Sequence, residues 1–162
     1  MLLLRSIFFT FLLPGTVTVL IPYWIISTRG TAKFSNDHVL RYFGFPLILV
    51  GAAGLLWCIW EFFSRGRGTL APLDPPKHLV VRGLYRYVRN PMYVSVVTIL
   101  VGEAILFIST GVLIEAGVFL GMVSLFVVFY EEPALRRQFG ESYESYVRTV
   151  GRWIPRRQPR TM

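Results

Sequence analysis

MYVSVVTILVGEAILFISTGVLIEAGVFLGMVSLFVVFYEE, residues 92–132, decides the fold. It contains two apolar runs, residues 92–109 and 112–130, of 18 and 19 residues, interrupted only by Glu103 and Glu115. A helix needs ~20 apolar residues to cross the hydrocarbon core of a bilayer. In lipid only helices and closed barrels satisfy their own backbone, and these runs lack the alternation of barrel strands. Reading outward, residues 42–60 form a third run of 19 without a charge, and residues 6–26 a fourth of 21. The expected fold class is an all-α integral membrane protein with four transmembrane helices in a single membrane domain. Its expected parts are the first two helices (1–62), a cytoplasmic loop (63–91), a helical hairpin (92–130) and a C-terminal cytoplasmic segment (131–162).

The first run passes the test against a secretory signal. Arg5 is a weak basic start, the apolar stretch is long, and it exits on Tyr23-Trp24 rather than a small-x-small cleavage site. The net charge of +8 suggests nucleic acid until its distribution is read. With four spans, Arg5, the six basic residues from Arg65 to Arg89 and the seven from Arg136 to Arg160 share one side. Only Arg29, Lys33 and Arg41 fall on the other. That asymmetry places both termini and the central loop in the cytoplasm, with the basic excess against anionic headgroups. The compact size and charge bias fit a bacterial inner membrane, and an endoplasmic reticulum membrane follows the same sign rule. Cys58 is the single cysteine, so no internal disulfide and no metal constellation is expected, and the C-terminus lacks a prenylation box.

Pro14-Gly15 and Pro22 are read as kinks in the first helix. Residues 27–38 are a short turn-rich loop. In the second helix Gly51, Ala52 and Gly54 suit close helix packing. Residues 64–76, with Pro72, Pro75 and Pro76, form an extended linker. Ser109-Thr110-Gly111 reads as the turn of the hairpin, which returns Glu131 and Glu132 to the membrane face that holds Asn90 and Tyr93. Beyond Pro133, the series Leu135, Phe139, Tyr143, Tyr146 and Val150 is an amphipathic stripe, with a break at Gly140. Arg136, Arg137, Arg148 and Arg152 suit a helix lying at the interface.

Chemistry concentrates at two places. Residues 77–93, KHLVVRGLYRYVRNPMY, are basic and aromatic. Glu131-Glu132 stand where the last apolar run ends. Carboxylates there either end a membrane helix at the interface or pair with a ligand ammonium. The Tyr and Arg residues either form an interface belt or stack on an adenine ring, with Asn supplying hydrogen bonds. Adjacent helical residues point ~100° apart, so the two glutamates face different surroundings. Glu103 and Glu115, deeper in the apolar runs, reach for the external face. No glycine-rich phosphate loop, catalytic triad or metal motif is present.

GLYRYVRNPMY, the apolar hairpin and EEPALRRQFGESYESYVRTVGRWIP together resemble the isoprenylcysteine carboxyl methyltransferase and phospholipid methyltransferase superfamily over residues 77–155. The resemblance implies an integral-membrane enzyme using S-adenosylmethionine to methylate a lipidic or hydrophobic acceptor among membrane lipids. It places cofactor contacts on Lys77, His78, Leu79, Val80, Tyr85, Asn90, Pro91, Met92, Tyr93 and Glu132, and the catalytic pair on Arg89 and Glu131. Two positions depart from the pattern. Asn90 stands where the motif has histidine. Val128 stands where the prenylcysteine enzymes carry a substrate arginine, which argues against a prenylcysteine acceptor. Two other readings remain: a nicotinamide-dependent sterol-type reductase, whose relatives have more spans, and an inactive membrane scaffold.

Overall fold

The structure, a computed structural model, describes residues 14–29, 39–61, 79 and 81–156. All regular elements among these are helical: α1 (Ile21–Arg29), α2 (Gly44–Glu61), α3 (Pro91–Leu106), α4 (Thr110–Phe126), α5 (Glu132–Phe139) and α6 (Glu141–Thr149). Short 3-10 turns, Val39–Phe43 and Gly83–Arg86, precede α2 and α3. The linker at 64–76, the start of the first run and the tail beyond 156 lie outside the described residues.

Two helices among the described residues are long and apolar enough to cross a membrane, Arg41–Glu61 and Thr110–Phe139. Thr16–Thr28 and Pro91–Leu106 are apolar but shorter. Most of the surface of the two long helices is open rather than packed. Phe45, Leu49, Leu56, Trp57, Ile114, Val118, Met122 and Leu125 are all more than half exposed. A core helix of a soluble protein would bury such side chains, whereas a continuous apolar exterior suits lipid.

The most extensive contact in the fold is between α2 and α3, which run antiparallel. Small residues permit it. A Cβ on Gly51 would stand 2.7 Å from the Ile99 side chain and 2.8 Å from the Ser95 carbonyl, and one on Gly102 would stand 2.8 Å from Ile48. Without side chains at these points the two backbones meet directly, the packing mode that works where lipid supplies no hydrophobic drive. The core, with Leu100 and Val112 fully buried and Val96, Ile99, Ala116 and Phe119 around them, joins α2, α3 and α4.

The α3–α4 turn falls earlier than the sequence suggested, at Phe107–Ile108–Ser109. Ser109 caps α4, its hydroxyl accepting from the Val112 N–H at 3.4 Å, so Thr110 and Gly111 are already helical. Ile108 sits at φ 48° while the Ser109 N–H reaches back to the Ala104 carbonyl at 2.9 Å. This is the left-handed helix ending normally given to glycine, and a β-branched residue there costs about 1–2 kcal/mol. Ile108→Gly is therefore expected to stabilise the protein by about 1 kcal/mol, less the packing of a side chain that is 41% exposed. Denaturant unfolding in detergent measures it, and an unchanged or lower midpoint would refute the strain.

Among the described residues the helices carry two π turns, and each lies just ahead of a proline. Thr16–Leu20 precedes Pro22, and Val127–Glu131 precedes Pro133. Proline lacks an N–H and crowds the carbonyl four residues back. In both cases the residue before the proline donates one step further back, Ile21 to Thr16 and Glu132 to Val127, and the turn widens by one residue. At Pro22, read from the sequence as a kink, the observed feature is this widened turn. At Pro133 it shapes the site.

Candidate functional site

Pro91 opens α3 in a position where its missing N–H has no partner to lose, so Arg89 and Asn90 are delivered to the mouth of the hairpin. There α4 ends in its π turn. The widened turn rotates the acidic pair so that Glu132 points inward, 5% exposed, while Glu131 stays half-buried beside α3.

Glu132 is the centre of an ion cluster. Its Oε1 accepts from Arg89 Nη1 at 3.0 Å and from Arg152 Nε at 2.6 Å, and its Oε2 accepts from Arg152 Nη2 at 3.0 Å. Burial pushes this carboxyl up. The Arg152 hydrogen bonds and the charges of Arg89 and Arg152 outweigh that effect and hold it below the usual carboxylate range. Arg152 in turn is raised by its bond to Glu132. Arg89 is nearly as buried as its partner, its side chain 8% exposed, and its Nε has no hydrogen-bond partner among the described residues.

Arg152 reaches the cluster from a short strap that follows α6. Val88 and Gly151 form a single parallel bridge, the Arg89 N–H donates to the Gly151 carbonyl at 2.8 Å, and the Asn90 amide donates to the Arg152 carbonyl at 3.3 Å. The Tyr146 hydroxyl donates to the Tyr85 carbonyl at 2.7 Å, fixing α6 to the same loop. Beneath it the apolar stripe of α5 and α6 packs on itself and on Leu79, after a break at Gly140, whose φ of 50° suits a residue without a Cβ. Gly151 is equally constrained, because a Cβ there would overlap the Ile154 carbonyl oxygen. Gly151→Ala is expected to lift the strap at a cost of about 1–3 kcal/mol. It should appear as a lower melting temperature and faster proteolysis after α6. A variant indistinguishable from the parent on both would show that the strap tolerates a side chain.

Glu131 is in a different situation. Its Oε2 accepts from the Tyr93 hydroxyl at 3.4 Å, and no other hydrogen bond to it is made among the described residues. Burial raises this carboxyl and the neighbouring Glu132 charge adds to the rise, with the Tyr93 hydroxyl offsetting part of it. The Tyr93 ring meets Phe119 edge-on at 6.5 Å and Trp153 at 6.4 Å. The pair of glutamates has therefore divided into a clamped anion and an available one, the available one held by a tyrosine whose ring contacts Phe119 and Trp153.

Of the residues expected from the sequence, Arg89, Asn90, Tyr93, Glu131 and Glu132 come together here, from segments about forty residues apart. Pro91 is buried at the start of α3, and Met92 packs on the hairpin core. Tyr85 lies deeper, its hydroxyl against the buried Cys58 thiol of α2, and Leu79 belongs to the cluster under α6. Lys77, His78 and Val80 lie outside the described residues. Arg152 and Trp153 were missed as site residues. Arg152 was assigned to an interfacial helix, but α6 ends at Thr149 and the chain turns inward at Gly151. Gly151 and Pro155, which bracket Arg152 and Trp153, were the available sign of that turn. Glu103 and Glu115 sit towards the opposite end of the hairpin, with carboxylate oxygens lacking hydrogen-bond partners among the described residues. No group of His, Cys, Asp or Glu among the described residues is arranged to hold a metal.

The family model described as phospholipid methyltransferase matches residues 39–142, a span that runs from α2 through the acidic pair into α6. No curated protein and no solved structure matches the chain.

Proposed function

The chain belongs to the phospholipid methyltransferase family, and from that premise we propose that it is an S-adenosylmethionine-dependent membrane methyltransferase acting on a lipidic or hydrophobic acceptor. The observation that carries the proposal is the meeting of Tyr93 with Glu131 at 3.4 Å, beside the Arg89–Glu132–Arg152 cluster, at one end of apolar helices. In this reading all four apolar segments cross the bilayer, and both termini and the site lie on the cytoplasmic side, the orientation that the distribution of basic residues favours.

The residues fit such a donor. A carboxylate with an uncommitted oxygen, bonded by a tyrosine whose ring packs on Trp153, suits a cationic ammonium or sulfonium. Bound there, S-adenosylmethionine supplies an activated methyl group for in-line displacement. The chain's own residues supply position and dryness. Glu131 and Tyr93 hold the positive charge, Trp153 and Phe119 exclude water, and Asn90 and Pro91 set the start of α3 against the strap. Glu132 with Arg89 fixes the floor on which Glu131 stands, which makes Arg89 a positioning residue. A carboxylate acceptor needs no base. An amine acceptor must lose its proton before it attacks the methyl group.

Calorimetry of the full chain in nanodiscs, titrated in parallel with S-adenosylmethionine and NADPH, tests the reading. Saturable binding of the former, followed by transfer of labelled methyl groups into a lipid extract, is the expected result. Binding of NADPH alone makes the protein a reductase. Binding of neither by folded protein leaves a scaffold and ends the enzyme proposal.

A further inference from the structure

Trp153 faces two compartments. On one side its ring meets Tyr93, the hydroxyl of which bonds Glu131. On the other it lines a groove of about 490 Å³ that runs between α2 and α3. Val50 and Thr98 border the groove at mid-helix, and Tyr87, Trp153 and Pro155 border it at the polar end. From residue 50 to residue 57 along α2 its length is about 10 Å. The lining is almost wholly apolar. The Ser95 and Thr98 hydroxyls donate to carbonyls of their own helix, those of Pro91 and Val94, both at 2.8 Å, and the Tyr87 hydroxyl is confined to the polar end. A polar ligand finds little to bond there, and hydrocarbon fits.

The groove opens onto the face where Val50 and Trp57 are exposed at 66% and 56%, the same apolar exterior that suits lipid. Its inner end stops at the ring that packs on Tyr93, whose hydroxyl bonds the available carboxylate. We propose that this groove seats a hydrocarbon chain of the methyl acceptor and that Trp153 is the threshold between chain and reacting head, a specificity-determining residue. The strap explains why the threshold is firm. Gly151 and Arg152 immediately before it are held by Arg89, Asn90 and Glu132, so the backbone that carries the indole is tied to the ion cluster. The substrate part of this inference rests on the methyltransferase reading, while occupancy of the groove does not.

The experiment separates the two. A full-length variant with Trp24, Trp57 and Trp60 changed to Phe leaves Trp153 as the only one of the four tryptophans. It is placed in nanodiscs of phosphatidylcholine brominated at the 6,7, 9,10 or 11,12 positions of the acyl chain. Trp153 emission should be quenched most by bromine near the head, and adding Ala53→Phe, which fills the groove from an exposed position, should remove most of that quenching. Quenching unchanged by Ala53→Phe, or absent throughout, overturns the groove. The second arm compares labelled products from a lipid extract. Trp153→Ala should change the distribution between acceptors on the order of tenfold, whatever its effect on total turnover, and Trp153→Phe should retain the parent distribution. A uniform fall in all products would reduce Trp153 to a structural role and overturn the threshold. Failure to bind S-adenosylmethionine sinks the methyltransferase reading alone, and the quenching result still decides the groove.

Discussion

Glu131→Gln is expected to abolish most donor binding while leaving the protein folded. The substitution keeps the shape of the side chain and an oxygen for the Tyr93 hydroxyl, so the contact at 3.4 Å survives and only the negative charge is lost. A hydrogen bond to a charged group contributes about 1.5–3 kcal/mol, which sets the loss of affinity at roughly 10- to 100-fold. Glu131 makes no ion pair among the described residues and is only half-buried, so its removal strands no cation and the melting temperature should stay within a degree or two of the parent. Calorimetry with S-adenosylmethionine beside a thermal melt reads both quantities. Undiminished affinity in the folded variant would remove Glu131 from the ligand and transfer the role to another group. Loss of fold would place Glu131 among the structural residues instead.

That contrast between two neighbouring glutamates was only half legible in the sequence. The apolar runs located the helices because period and length are local properties, and the hairpin followed from two runs with a short break between them. Once the chain had to return, the meeting of the 89–93 segment with residues 131 and 132 was forced by geometry. The rest depended on contacts between distant segments or on backbone detail. Pro133 announces a disturbed turn, yet a regular 100° step between Glu131 and Glu132 does not say which of them faces inward, and the π turn decides it. Arg152 looked like one of several interfacial arginines. Its role emerges only when Val88 and Gly151 lie side by side, a pairing of residues 63 positions apart. The turn at Ile108 was displaced because Ser109 caps α4 instead of occupying the loop, and a strained isoleucine carries no sequence signature.

Glu132→Gln should have the opposite profile, a large loss of stability that precedes any effect on ligand. Glu132 is 5% exposed and Arg89 almost as buried, so a neutral amide leaves a buried guanidinium without its counter-charge. Breaking one partner of a buried pair costs about 3–5 kcal/mol. Arg152→Gln removes the other, more exposed arginine and should cost less, because water already screens a side chain that is 36% open. The double variant is then expected to be less destabilised than the sum of the two, since the amide that replaces Glu132 no longer offers a charge for Arg152 to meet. Acid provides an independent check of the sign. Glu132 binds its proton less readily in the folded chain than in the unfolded one. Its contribution is therefore complete above the unfolded carboxylate value of about 4.3 and is lost as the pH falls through the lower folded value. The gap in melting temperature between parent and Glu132→Gln should stay constant from neutral pH to about pH 4.3 and close below it. A gap that narrows between pH 7 and 5 would mean that the clamped carboxyl is raised rather than lowered. A gap absent at pH 7 would mean that the two arginines do not need it.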